Sequence, residues 1–265
     1  MVPKLVERLV IDSLSKFGKE EIAAYPGLQA IATPSTGRDH IDLDACEKAG
    51  VKVYGLTDDR EALEEIRASS EFTFLCILMG LRRIDRLIGS TDRREPTHEL
   101  YKKHVGIVGM GRIGSNLARW CAAFDATVDY YDPYKAGYSL SLDELFAECD
   151  IVCVTCSLTK ETAHMVDRPL LESMKKDAVL VNTSRGAVIN EYDLVDVLRI
   201  RPDLTAVLDV LEGELDKSHV KSPLWFLKNV ILTPHIAGHT IESNAKALQI
   251  AERLLYTSND EPKQE

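Results

Sequence analysis

The feature that most constrains this chain is the run Val105-Gly-Ile-Val-Gly-Met-Gly-Arg-Ile-Gly114, a G-x-G-x-x-G pattern at Gly109, Gly111 and Gly114. It follows a β-branched run, His104 to Val108, and opens an amphipathic stretch, Ile113 to Phe124. Such a turn uses its first glycine for a tight reversal and its second to leave room for a pyrophosphate. The third lets the helix pack closely on its strand. The amides around Arg112 and Ile113 open that helix, where unpaired N–H groups and the positive end of the dipole favour phosphate.

From residue 104 onward, strand-like runs alternate with helical patterns, which predicts βαβ units and a parallel sheet. The later runs are Ala126 to Tyr131, Asp150 to Thr155, Ala178 to Asn182, Leu204 to Asp209 and Asn229 to Thr233. Helices are predicted at Leu142 to Glu148, where Ser141 and Glu144 have capping-box spacing, and at Glu191 to Arg199. Six strands in this order predict a doubly wound, Rossmann-type α/β domain over residues 100–238. Asp132 closes the second run, 23 positions after Gly109 against the roughly 20 expected of a ribose-binding carboxylate. A carboxylate there accepts from both ribose hydroxyls and repels a 2′-phosphate, so NAD is expected over NADP. A methyltransferase uses a similar turn and acid, so this part alone does not name the chemistry.

The residues just past three consecutive strands are more telling, because ligands of an open parallel sheet bind beyond its carboxyl ends. There stand Arg185, the acid pair Glu212 and Glu214, and His235. Singly, each has a bland reading as a surface cation, a solvated charge or a core histidine. Together they suit hydride transfer to a 2-keto acid. Arg185 offers a planar fork for carboxylate and carbonyl oxygens. His235 can pass a proton to and from the reacting oxygen, and Glu214 can orient the imidazole. Asp209 ends its strand where a nicotinamide carboxamide is expected.

The remainder bounds the answer. The first 99 residues read as a smaller α/β domain. Its strands are predicted at Arg8 to Ile11, Leu28 to Ala32 and Val51 to Tyr54, and its helices at Lys19 to Ala24 and Ile41 to Ala49. A largely helical stretch, Glu64 to Leu87, then leads to a polar connector or arm, Gly89 to Glu99. A terminal helix within residues 239–265 completes this domain. The chain of 265 residues carries 32 Lys and Arg against 42 Asp and Glu, a net charge of -10, which argues against nucleic-acid or anionic-membrane partners. The most apolar run, Phe72 to Leu81, is far short of the ~18 residues of a membrane span, and no secretory signal is evident, so a cytoplasmic protein is expected. Cys153 and Cys156 spell C-x-x-C inside a strand-like run, where residues three apart face opposite ways; they read as reduced, structural thiols. His98, His219 and His239 are too scattered for a metal site, and none is expected.

The glycine turn, Val181-Asn-Thr-Ser-Arg-Gly-Ala-Val-Ile-Asn190, Leu208-Asp-Val-Leu-Glu-Gly-Glu214 and Val230-Ile-Leu-Thr-Pro-His-Ile-Ala-Gly238 together resemble the D-isomer-specific 2-hydroxyacid dehydrogenases over nearly the whole chain. The resemblance implies the catalytic set Arg185, Glu214 and His235, with Asp132 on the adenosine ribose and Asp209 on the nicotinamide of NAD. It implies a flavodoxin-like smaller domain and a homodimer with residues 67–99 as the crossing arm. It makes Ala32-Thr-Pro-Ser-Thr-Gly-Arg-Asp-His-Ile-Asp42 the substrate loop, in which the Thr36 and Gly37 amides bind the carboxylate of a small 2-keto or 2-hydroxy acid. Relatives usually carry a further βαβ unit, of roughly 30 residues or more, ahead of Arg8. The smaller domain is therefore expected to be shortened at its N-terminus. An alternative function is that of an NAD(H)-sensing binding protein with little turnover, resembling the C-terminal-binding-protein corepressors.

Overall fold

A computed structural model describes residues 6–13, 15–87, 96–136, 140–214 and 218–257. From the N-terminus the elements are β1 (Arg8–Val10), α1 (Lys19–Ala23), β2 (Ala30–Thr33), α2 (Leu43–Lys48), β3 (Lys52–Gly55) and α3 (Arg60–Leu63). There follow α4 (Ala68–Arg82), α5 (Ile84–Leu87), β4 (His104–Val108), α6 (Arg112–Ala123), β5 (Thr127–Tyr131), α7 (Leu142–Glu148) and β6 (Ile151–Val154). The last elements are α8 (Arg168–Ser173), β7 (Val179–Asn182), α9 (Glu191–Ile200), β8 (Thr205–Leu208), β9 (Val230–Leu232) and α10 (Ile241–Thr257). The chain divides into two compact units, one from residues up to Arg67 with those from His239 onward, the other Ala68–Gly238.

The larger unit is a six-stranded, wholly parallel sheet in the order β5-β4-β6-β7-β8-β9. The chain leaves β4 for β5 on one side and returns past it to β6 on the other, so the order reverses beside β4. Both faces of the central strands β4, β6, β7 and β8 are buried, which is why these read as near-continuous apolar runs. Val105, Ile107, Ile151, Cys153, Val179, Val181 and Val207 pack with α4 and α6 residues such as Ile77, Leu81 and Leu117. Their alternates Val108, Val152, Val154, Leu180, Ala206 and Leu208 pack with Leu145, Phe146, Leu170 and Leu194 from α7, α8 and α9. The expected capping box forms at α7: Ser141 Oγ accepts from the Glu144 amide at 3.3 Å, and the Glu144 carboxylate accepts from the Ser141 amide at 2.8 Å.

The smaller unit holds a three-stranded parallel sheet in the order β1-β2-β3. Ala30 and Ala32 of β2 pack against Ala251 and Leu255 of α10. Ile31 faces Phe17, Ile41 and Cys46 on the other side. Leu56, Leu63 and Ile66 meet Ala247 and Ile250, so the C-terminal helix completes this unit's core.

One boundary differs from the sequence expectation. The helical stretch Glu64 to Leu87 is broken, and α4 joins the larger unit rather than residues 1–99. Its buried positions Thr73, Cys76, Ile77, Gly80 and Leu81 recur at helical spacing. A Cβ on Gly80 would stand 2.5 Å from Val179 Cγ1, so only glycine lets the helix lie this close to the sheet. Of the polar connector expected at Gly89 to Glu99, residues 89–95 lie outside the described residues. All six cysteines are unbridged, and burial pushes the thiols of Cys76 and Cys121 up to about 12. Among the described residues no helix is long and apolar enough to cross a membrane, and no three His, Cys, Asp or Glu are grouped to hold a metal ion.

Candidate functional site

In the larger unit, β4 runs straight into the glycine turn. Gly109 has φ +94°, and a Cβ there would meet the Cys156 backbone at 2.7 Å. A Cβ on Gly114 would stand 2.2 Å from the Gly109 carbonyl oxygen, whereas a Cβ on Gly111 would point into open space. These three environments match the three jobs assigned from spacing, and the open one is where a pyrophosphate must approach the backbone. Helix α6 begins at Arg112 with Gly111 as its N-cap, and no side chain caps it. Asp132 follows β5 and accepts from the Met110 amide at 2.8 Å and the Tyr134 amide at 3.0 Å. The acid is thereby anchored to the turn and carries acceptor positions for a ribose. The residues present fit a dinucleotide.

At the far strands, the expected acid and imidazole meet. Glu214 Oε2 lies 2.5 Å from His235 Nδ1, and Glu214 Oε1 accepts from the Leu211 amide at 2.7 Å. A carboxylate only accepts, so Nδ1 carries the proton and Nε2 is left for a reactant. His235 sits in the left-handed region at φ +55°, and its amide donates to the Asp209 carbonyl at 2.9 Å. Asp209, 1% exposed, holds the rest of that loop. Its carboxylate accepts from the Thr233 hydroxyl at 2.5 Å and from the amides of Ile236 and Ala237 at 2.9 and 2.8 Å. The buried acid expected at the nicotinamide therefore also fixes the backbone that presents the imidazole. That task invests an otherwise unusual non-glycine conformation, costing about 1–3 kcal/mol, in one side chain's direction.

Arg185 leads a single 3-10 turn, Gly186–Val188, after β7. Asn182 folds the approach by accepting from the Ser184 amide at 3.0 Å and donating to the Arg185 carbonyl at 3.0 Å. A Cβ on Gly186 would fall 2.0 Å from the Leu211 carbonyl carbon, so the arginine's loop is pressed onto the turn that carries Glu214. That turn is braced further: Glu212 pairs with His164 at 3.0 Å, and its amide donates to Glu191 at 3.0 Å. Thr36 and Gly37 belong to the smaller unit, in the loop after β2. There the Gly37 amide donates to Ser35 Oγ at 3.2 Å, Thr33 Oγ1 and His40 Nε2 lie 3.1 Å apart, and Arg38 pairs with Asp58.

Several of these parts escape sequence reasoning. Gly186 reads as an ordinary glycine until Leu211 is seen beside it. Thr155, whose hydroxyl donates to the Gly109 carbonyl at 2.7 Å, looks like any strand-end threonine. Asn182 alone carries a local signal, since asparagine two residues before a backbone amide is a turn former.

Residues 74–237 match the family described as "D-isomer specific 2-hydroxyacid dehydrogenase, NAD binding domain", and residues 2–58 match its "catalytic domain". The chain is 36% identical over 260 residues to a glyoxylate reductase of Thermofilum pendens, covering 91% of this chain and 74% of the relative. It is 33% identical over 238 residues to glyoxylate/hydroxypyruvate reductase A HPR2 of Arabidopsis thaliana, covering 85% and 74%. Among solved structures it resembles D-lactate dehydrogenase from Aquifex aeolicus complexed with NAD and lactic acid, with TM-score 0.79, 31% identity and coverage of 97% and 83%. The cofactor of the larger unit is NAD.

Proposed function

The chain belongs to the D-isomer-specific 2-hydroxyacid dehydrogenases, and from that premise we propose that Arg185, Glu214 and His235 interconvert a small 2-keto acid and its D-2-hydroxy acid. The observation that carries this reading is the 2.5 Å contact between Glu214 and His235 Nδ1 at the strand ends of an NAD-binding sheet. NAD(H), when bound, supplies or accepts the hydride. Gly109 and Gly114 shape the turn that binds it, Gly111 and the amides of Arg112 and Ile113 hold its phosphates, Asp132 its ribose, and Asp209 its carboxamide. Arg185 binds the substrate carboxylate and polarises the carbonyl through its planar fork. His235 Nε2 gives the reacting oxygen its proton in reduction and removes it in oxidation. Glu214 keeps the ring turned so that Nδ1 stays engaged. On the smaller unit, the Thr36 and Gly37 amides are carboxylate donors, Gly37 exchanging its bond to Ser35 for the substrate.

Two-carbon and three-carbon keto acids are the favoured substrates, on the names of the relatives above. Those names are reductases and dehydrogenases, which favours turnover over the NAD-sensing alternative. We also propose a homodimer, on the family resemblance, and a cytoplasmic location; light scattering and fractionation test these two. Function is tested by incubating the protein with NADH and glyoxylate, hydroxypyruvate or pyruvate while following loss of absorbance. Oxidation of NADH with at least one of them is expected. Tight NADH binding without turnover on any would overturn the proposal.

A further inference from the structure

Helix α4 is apolar for most of its length, yet it buries two hydroxyls. Ser70 and Thr73 are both 0% exposed. Ser70 Oγ accepts from Asn116 of the cofactor helix at 3.3 Å, and Thr73 Oγ1 lies 2.7 Å from Thr183 Oγ1, 110 residues away in sequence. Thr73 Oγ1 also stands 2.6 Å from the Ser69 carbonyl and donates its single proton there. It therefore accepts from Thr183, and the direction of the pair is fixed. Hydroxyls cost free energy to bury unless paired, and the neighbouring positions Cys76, Ile77 and Leu81 fill the same helix–sheet seam with apolar atoms. A polar pair at this point does something that packing alone does not.

Thr183 is two residues before Arg185. The side-chain bonds of Asn182 fold this loop on itself, reaching only Ser184 and Arg185. The Thr183 hydroxyl, 7% exposed, ties the loop to a separate helix. We infer that Thr73 is a positioning residue for Arg185, acting through the buried hydroxyl pair to hold the guanidinium loop at a fixed height above the sheet. The inference rests on the catalytic reading of Arg185 given above. Glu214 and His235 hang from β8 and β9 on other bonds, so loosening this pair weakens substrate capture and leaves the proton-transfer pair in place.

Hydrogen exchange of the whole protein, with Thr73→Val, Thr73→Ser and Thr183→Val beside wild type, tests this. The two valine variants are expected to exchange the amides of residues 183–188 about tenfold faster, with those of β4 and α6 unchanged. The serine variant, which keeps the hydroxyl, is expected to match wild type. In turnover, the valine variants are expected to raise the KM of the keto acid about tenfold with kcat within about twofold. The double variant adds nothing further, as two ends of one bond require. Unchanged exchange over residues 183–188 in both valine variants, or a serine variant as loose as the valine one, would overturn the inference. Should Thr73→Val not fold, Thr183→Val carries the test alone. Wild-type protein that consumes no keto acid would sink the function proposed above, whereas the exchange measurement still decides this inference.

Discussion

The two units present their functional residues on unlike supports. In the larger one, the loops past the strand ends are held from beneath, buried Asp209 carrying the His235 loop and Leu211 clasping Gly186, while the Glu214–His235 pair itself is part-exposed. In the smaller one, the loop bearing Thr36 and Gly37 is closed by the part-exposed Arg38–Asp58 ion pair, with the buried Thr33–His40 contact at its base. Buried, satisfied polar networks specify one geometry, because any lost member leaves a partner unpaired in low dielectric. Exposed pairs are worth little and leave the backbone freer. The larger unit thus fixes the loops that carry the proposed catalytic groups, and the loop of the smaller one has more freedom to adjust.

The sharpest way to probe this contrast is His235→Ala. Turnover is expected to fall by ~10²–10⁴-fold, the range for a positioned acid–base group, with NADH affinity unchanged by titration. A comparable loss of cofactor binding would mean that the loop, not the imidazole, was the essential part. Next in size is Gly186→Ala, whose new methyl has no room against Leu211. Denaturant unfolding should show about 3 kcal/mol lost, the upper end for overpacking, and a cost below about 0.5 kcal/mol would show the loops not to be clasped. Asp132→Ala should relax the preference for NAD over NADP by about tenfold, the size of one charge-assisted contact; unaltered discrimination removes Asp132 from the ribose. Smallest is Arg38→Ala in the other unit, which should cost less than about 1 kcal/mol. If that change matched Gly186→Ala in size, the contrast between the units would fail.

What the sequence reveals divides along the same line, between local and distant causes. The path from β4 through the glycine turn to α6 follows from neighbouring residues, as does the Ser141–Glu144 box. Strand ends retreat by a residue or so where a turn takes the last amide, as at Leu28, whose N–H donates to Tyr25 rather than to the sheet. The break between α3 and α4 carries no glycine or proline to mark it, since Glu64 to Arg67 is composed like a helix. Its cause lies in α4's docking against Val179 and Val207, far along the chain. The second task of Asp209 and the Thr73–Thr183 pair were hidden for the same reason: their partners are 24 to 28 and 110 residues away. Arg185, Glu214 and His235 are visible because each lies a few residues past a strand-like run, and that position is itself a local property.

The most direct measurement is chiral analysis of the product formed from pyruvate or hydroxypyruvate with NADH. Accumulation of the D-2-hydroxy acid in step with NADH consumed is the expected result. The L-isomer, a racemate, or bound NADH that persists untouched beside every keto acid supplied would contradict a guanidinium, carboxylate and imidazole acting together at these strand ends.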